Sequence, residues 1–387
     1  MKKKDGFFQK YGLDIMTIRD LDKPLIVSTI LLIIFGLVNI YLCTKGYQAT
    51  ASPFDYVKKQ FEWFIVSLIV MYAIIKLDFT KVYRYTPIFY WFSVALLTTV
   101  WIPKVGLLVN GARGWITLGF TQLQPSEIAK YGILLMVAKL LDDMDWQINN
   151  IKNFAKIAVY VLIPVALIVI QPDMGMGMVC FFIVLSVVFV AGLDKRIIGG
   201  GLIAIFVGVL ILWNSGIIKP YQKARILEFA SSDTQDTSQG YQLNQSMIGI
   251  GNGGLIGIKP SFSPNVSPGY AGTHVPEIQT DFIFCAIGEQ FGFLGTMFVL
   301  IMYVIIVSRI IKIGRKSKDR FGSLICVGVS AYFIFAVTQN IGMTIGLMPI
   351  TGITLPLISY GGSSLLTTTV AIALVLNIGI KKIKIRF

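Results

Sequence analysis

The one histidine of the chain, His274, and three carboxylates, Glu277, Asp281 and Glu289, fall within the short stretch GTHVPEIQTDFIFCAIGEQFGFLG. Asp281 sits in TDFIF, flanked by Phe282 and Phe284, so its carboxylate is held against apolar surface. Desolvation there raises a carboxyl pKa and a neighbouring cation lowers it, and a general base depends on such tuning. Glu277 precedes Asp281 by four residues and Glu289 follows it by eight, so a continuous helix would project all three from roughly one side. The structural alternative is a buried acid paired with Arg or Lys that fixes the loop. His274, alone, is left without a role.

A second constellation lies in NGARGWITLGFTQLQPSEIAK. Pro125 suits the first position of a helix, and Ser126 and Glu127 favour the positive end of its dipole. Lys130 then falls about one turn in, where its charge is costly unless it snorkels, pairs with Glu127 or meets an anionic ligand. Arg113, close to Trp115, adds a second cation, and guanidinium suits bidentate phosphate binding. An interfacial anchor with a helix cap accounts for Trp115, Pro125 and Ser126; Lys130 with Arg113 points to ligand binding, because intramembrane charges are functional by default.

Three further stretches carry weaker signals. QPDMGMG reads equally as a tight turn closed by Pro172 and Gly175 and as a role for Asp173. Gly249, Gly251 and Gly254 match GxGxxG, but no strand precedes them, and a flexible or close-packing loop is the better reading. GLMPITGITLPLISYGGSSLL has no charge, and its prolines and glycines interrupt a helix as a re-entrant segment would; it reads as architecture.

The elements that must position these residues are membrane helices. In 387 residues, 55% are hydrophobic and only 14% charged, and the mean hydropathy is +0.72, which excludes a soluble globular chain. Apolar runs of spanning length recur throughout. The expected fold is an all-α polytopic membrane protein, one domain over residues 1–387. Its ten transmembrane helices run approximately Pro24 to Cys43, Phe61 to Leu77, Tyr85 to Ile102, Pro125 to Leu141, Ile157 to Ile170, Gly175 to Ala191, Ile197 to Trp213, Phe291 to Ile311, Phe321 to Thr338 and Ser363 to Ile380. Placing residues 1–23 and 381–387 in the cytoplasm puts 24 Lys and Arg on that side and nine on the other, as the positive-inside rule requires. The first helix is expected to be retained, because a polar stretch separates it from the basic start and it is too long for a signal sequence.

Residues 214–290 then form one large extracytoplasmic loop between spans seven and eight, and a loop of that length is expected to work as a lid or binding loop. The net charge of +14 is spent on topology, so nucleic acid is not an expected partner. Four scattered cysteines and one histidine make a transition-metal cage improbable and read as small buried hydrophobes, while carboxylates and phosphates could share a hard divalent cation such as Mg or Mn.

NGARGWI with QPSEIAK, QPDMG, VPEIQTDFIF with GEQFGFLG, and MPITGITLPLISYGGSS together resemble the SEDS proteins of the bacterial cell wall, the RodA, FtsW and SpoVE family, over almost the whole chain. Two positions depart from the family's pattern: Gly114 stands where many members have a second arginine, and Gln279 where histidine is common. The resemblance implies a peptidoglycan glycosyltransferase that polymerises lipid II in the bacterial cytoplasmic membrane, beside a class B penicillin-binding protein. It maps the essential acid to Asp281 and the interfacial positions to Arg113, Trp115, Glu127 and Lys130, with Glu277 counted among the substrate-binding residues. Within the family, the short N-terminal tail and the THVPE and QTDFIF context resemble RodA, the elongation type, more than the FtsW division type or SpoVE. A lipid flippase and a scaffold that recruits a synthase are the competing classes.

Overall fold

The computed structural model describes residues 21–45, 54–109, 112–117, 119, 122–214, 238–264 and 266–381. The expected tails at 1–23 and 381–387 fall almost entirely outside these residues, as does the 215–237 part of the large loop.

Each of the ten apolar runs falls on a helix, although the run expected to reach Ile102 leaves its helix at Thr98 and two others end one residue past theirs. The helices are α1 (Lys23–Thr44), α2 (Asp55–Lys76), α3 (Phe79–Thr98), α4 (Pro125–Asp143), α5 (Ile151–Ile170), α6 (Met174–Val190), α7 (Lys195–Asn214), α10 (Ile283–Arg315), α11 (Arg320–Thr344) and α12 (Gly362–Lys381). Short polar side chains start several of them by accepting an otherwise orphaned backbone N–H. Asp22 accepts from Leu25 at 3.2 Å, Asn150 from Lys152 at 3.0 Å and Asp319 from Gly322 at 2.6 Å. Asp22 also receives Arg309 in a two-pronged ion pair, which ties the start of α1 to α10.

Among the described residues, α1, α5, α10, α11 and α12 are each long and apolar enough to cross a membrane, and α2 with α3 qualifies as a pair bent by 117°. The chain is a multi-pass membrane protein. At the centre stands α4, buried along nearly its whole length and packed against α3, α6 and α11, whereas most of α5 faces outward. All four cysteines are free and buried, as expected of small apolar fillers.

The structure corrects the sequence reading in three places. Between α3 and α4 the chain forms a small antiparallel sheet, order β1-β2-β3, of Gly106–Val109, Ala112–Thr117 and Gln122–Leu123. Leu107 faces Trp115 across the first pair and Ile116 faces Leu123 across the second; a backbone outside helix satisfies its polar groups by pairing with itself. The long loop carries helix α8 (Ser238–Gly253) and a short α9 (Tyr270–His274), so it is not structureless. The glycines of GIGNGG lie largely within α8 and serve close packing: a Cβ on Gly253 would stand 1.9 Å from the carbonyl of Gly288. Finally, α10 begins at Ile283, before the expected Phe291, and is broken at Gly292 (φ 63°).

Candidate active site

A small, partly open cavity is walled by Gln124, Glu127 and Lys130 from the start of α4, Asp173 and Met176 from the start of α6, Tyr332 from α11, and Gly352 to Thr354. Lys130 donates to Glu127 Oε2 at 2.6 Å and its ammonium stands 4.0 Å from the centre of the Tyr332 ring. The same Glu127 oxygen accepts the Thr367 hydroxyl at 2.7 Å. Only 1% of Lys130 and 4% of Glu127 is exposed, so the two charges neutralise each other inside the bundle, and removing either would strand its partner. Of the three options open to Lys130 in the sequence, the structure takes the pairing with Glu127.

Asp173, left open between turn and function, takes the turn position and also faces the cavity. It lies in the turn between α5 and α6, where Oδ1 accepts the backbone N–H of Met176 at 3.0 Å and caps α6. Its Oδ2 accepts from Gln124 Nε2 at 3.0 Å and from Ser126 Oγ at 3.2 Å, which binds the start of α4 to the start of α6. Burial pushes its carboxyl above the ordinary carboxylate range, against the lowering pull of those three donors. A Cβ on Gly114 would lie 4.0 Å from the same Oδ2. A longer side chain at that position would therefore be aimed at Asp173.

Asp281 approaches this cavity through Gly352. A Cβ built on Gly352 would stand 3.5 Å from Asp281 Oδ2, and Gly352 has φ 72°, a conformation glycine adopts without strain. Asp281 is half-buried in a turn just ahead of α10, in which the backbone N–H groups of Thr280, Asp281 and Phe282 all point to the carbonyl of Glu277. Asn340 Nδ2 holds the turn from α11 by donating to the carbonyls of Asp281 at 2.8 Å and Ile353 at 2.7 Å. Ser359 Oγ donates to the Thr280 carbonyl at 2.6 Å, and the Tyr360 N–H to that of Gln279 at 2.8 Å. The irregular stretch after α11 is thus more than architecture: it clamps the turn of Asp281 and supplies Gly352, Ile353 and Thr354 to the cavity wall. Gly352→Ala is expected to cost about 1–3 kcal/mol through its left-handed backbone and to lower activity by displacing Asp281; thermal unfolding and product assays on one preparation check both.

The three acids do not share a helix face. Glu277 is exposed, with φ 54°, and works through its backbone carbonyl. Glu289, inside α10, turns away from Asp281: its carboxylate accepts the N–H groups of Tyr270 at 2.6 Å and Ala271 at 2.9 Å and so fixes the start of α9. Because both donors need a carboxylate oxygen, Glu289→Gln is expected to cost about 1–3 kcal/mol, read as a lowered melting temperature. His274 is exposed and stacks on Tyr270 with centroids 4.3 Å apart.

Arg113 is exposed and Trp115 half-buried on β2, while the intervening Gly114 is buried beside Asp173. Alternation along the strand therefore puts Arg113 and Trp115 on the face opposite the one that Gly114 turns to Asp173. Among the described residues no three His, Cys, Asp or Glu side chains group as a metal cage would require. Gln124, Tyr332, Asn340 and Thr367 were missed; the one signal for Asn340 is the polar pair Gln339–Asn340 at the end of an apolar run.

Residues 23–384 match the Cell cycle protein family of FtsW, RodA and SpoVE. Stage V sporulation protein E of Bacillus subtilis is 32% identical, over 92% of this chain and 96% of its own length. Peptidoglycan glycosyltransferase MrdB of Escherichia coli K12 is 30% identical over 92% and 94%. A chain solved in work on coordination of polymerization and crosslinking by a peptidoglycan synthase complex superposes with a TM-score of 0.78 at 30% identity, covering 94% of this chain and 99% of that one. The rod shape determining protein RodA of Thermus thermophilus gives 0.69 at 27%, covering 94% and 98%. The chain belongs to the FtsW/RodA/SpoVE family of cell cycle proteins.

Proposed function

We propose that this protein is a peptidoglycan glycosyltransferase that polymerises lipid II at the outer face of the cytoplasmic membrane, with both termini cytoplasmic and residues 214–290 outside. Relatives carry that activity in their names. The observation that carries the residue-level reading is the position of Asp281, whose carboxylate lies against Gly352 in the wall of the cavity that holds Glu127 and Lys130.

In this reading Asp281 takes the proton of the acceptor's 4-hydroxyl as the oxygen attacks the anomeric carbon of the donor. The new C–O bond forms on the face opposite the leaving group, the anomeric C–O bond to phosphate breaks, and the diphosphate departs with the electron pair, inverting the centre. Diphosphate is a good leaving group, so no second carboxylic acid is needed to protonate it, unlike in glycosidases. Arg113, an exposed cation near Trp115 on β2, meets the diphosphate; Lys130 is paired with Glu127 and holds that carboxylate in the cavity wall. A class B penicillin-binding protein is the proposed partner, with the solved synthase complex as the related case.

Purified protein given lipid II, alone and with that partner, tests the activity: glycan polymer supports it, and lipid translocation by the wild type without polymer favours a flippase. The assignment to elongation rests on the resemblance of the THVPE and QTDFIF context to RodA; a fluorescent fusion along the sidewall supports it, and a fusion confined to the septum contradicts it.

A further inference from the structure

From Ser238 to Ile258, within the expected aqueous loop, there is no charged residue. Helix α8 packs one side onto α10 and α11: Ser246 Oγ donates to the Thr344 carbonyl at 2.9 Å, and Gly249 has room only for its hydrogen beside Cys285 and Ala271. Its other side exposes Met247 and Ile248, and the chain then continues into Leu255, Ile256 and Ile258, also exposed.

Residues 254–258 are built into the broken part of α10. At Gly292 the helical ladder opens, and the freed N–H groups of Phe293 and Leu294 donate to the carbonyls of Gly254 at 2.9 Å and Leu255 at 3.1 Å, while Ile258 N–H donates to the Glu289 carbonyl at 3.0 Å. A Cβ on Gly292 would meet Gly257 N at 2.4 Å, so the two backbones touch. Leu255 and Ile256, 65% and 64% exposed, thereby stand beside Phe293 and Leu294, 56% and 57% exposed, and the apolar surface runs on without a break to Ile301 and Val304 on the outward side of α10. A freed backbone donor at membrane depth must find a protein acceptor, and this segment supplies it.

We propose that residues 254–258, with the exposed side of α8, are inserted in the bilayer at the boundary between headgroups and acyl chains, as a wedge seated on the kink of α10. The occupant of this surface is membrane lipid. Two features single it out: continuity with the lipid-facing side of a spanning helix, and an uncharged run that ends at the exposed Lys259, whose stem can follow the apolar surface while its ammonium reaches the headgroups.

The test uses the full chain in phospholipid vesicles, with nitroxide labels on Ile256→Cys, Leu294→Cys and Ser263→Cys; the native cysteines are buried. Collision with lipid-soluble oxygen is compared with collision with a water-soluble nickel chelate. The Ile256 label should favour oxygen as the Leu294 label does, with the ratio reversed at the exposed Ser263. An Ile256 label that behaves like Ser263 would overturn the proposal, and so would one shielded from both reagents, which would mean that protein covers it. Leu255→Cys is the second reporter should Ile256→Cys not fold. Label depth is read without activity, so this result and the glycosyltransferase assignment stand or fall separately.

Discussion

Asp281→Asn is expected to abolish lipid II polymerisation, a loss of about 10²–10⁴-fold from the base alone, while the protein still folds. The expectation follows from how the residue is held. Its backbone carbonyl is gripped by Asn340, and its N–H joins those of Thr280 and Phe282 at the Glu277 carbonyl; neither contact involves the side chain. The asparagine amide has nearly the same shape, so its approach to Gly352 survives while its capacity to accept a proton does not. Melting temperature should therefore stay close to wild type as polymer disappears. Polymer at the wild-type rate would remove Asp281 from the chemistry, and an unfolded variant would make it structural.

The second large effect is on stability. Lys130→Met leaves Glu127 as an uncompensated charge inside the bundle, with the Thr367 hydroxyl its one remaining side-chain donor among the described residues, and is expected to cost about 3–5 kcal/mol. The double variant Glu127→Gln with Lys130→Met removes both charges and should recover most of that loss, because a buried pair contributes little beyond the well-packed apolar groups that replace it. Activity should not return with the fold if the charged wall faces the substrate. Melting curves for the single and double variants with polymerisation measured on each separate the two roles; equal instability in both would mean that volume, not charge, holds the site.

The helices were legible because lipid leaves a spanning backbone no alternative, and apolar runs such as Phe321 to Thr338 lie squarely within α11. Asp281 was legible as an acid set in apolar sequence, and Lys130 and Glu127 as a pair one turn apart. What escaped depended on backbone geometry that composition does not encode. Glu277, Asp281 and Glu289 share a face only on a continuous helix, and the turn before Ile283 breaks that spacing. ARGWIT pairs as a strand, which separates Arg113 from Lys130 even though both are cations of one motif. Asn340, within α11, and Gly352, after it, each meet Asp281 across more than fifty residues, contacts that no local pattern announces.

The central claim is that the Asp281 carboxylate receives the acceptor's proton at this cavity, and the most direct measurement is a structure of the wild-type protein with two lipid II analogues bound. The account predicts the acceptor's 4-hydroxyl within about 2.6–3.2 Å of an Asp281 oxygen, or one water away, with the donor's diphosphate near Arg113. An acceptor hydroxyl seated beyond that reach, with another side chain taking its proton, would contradict it.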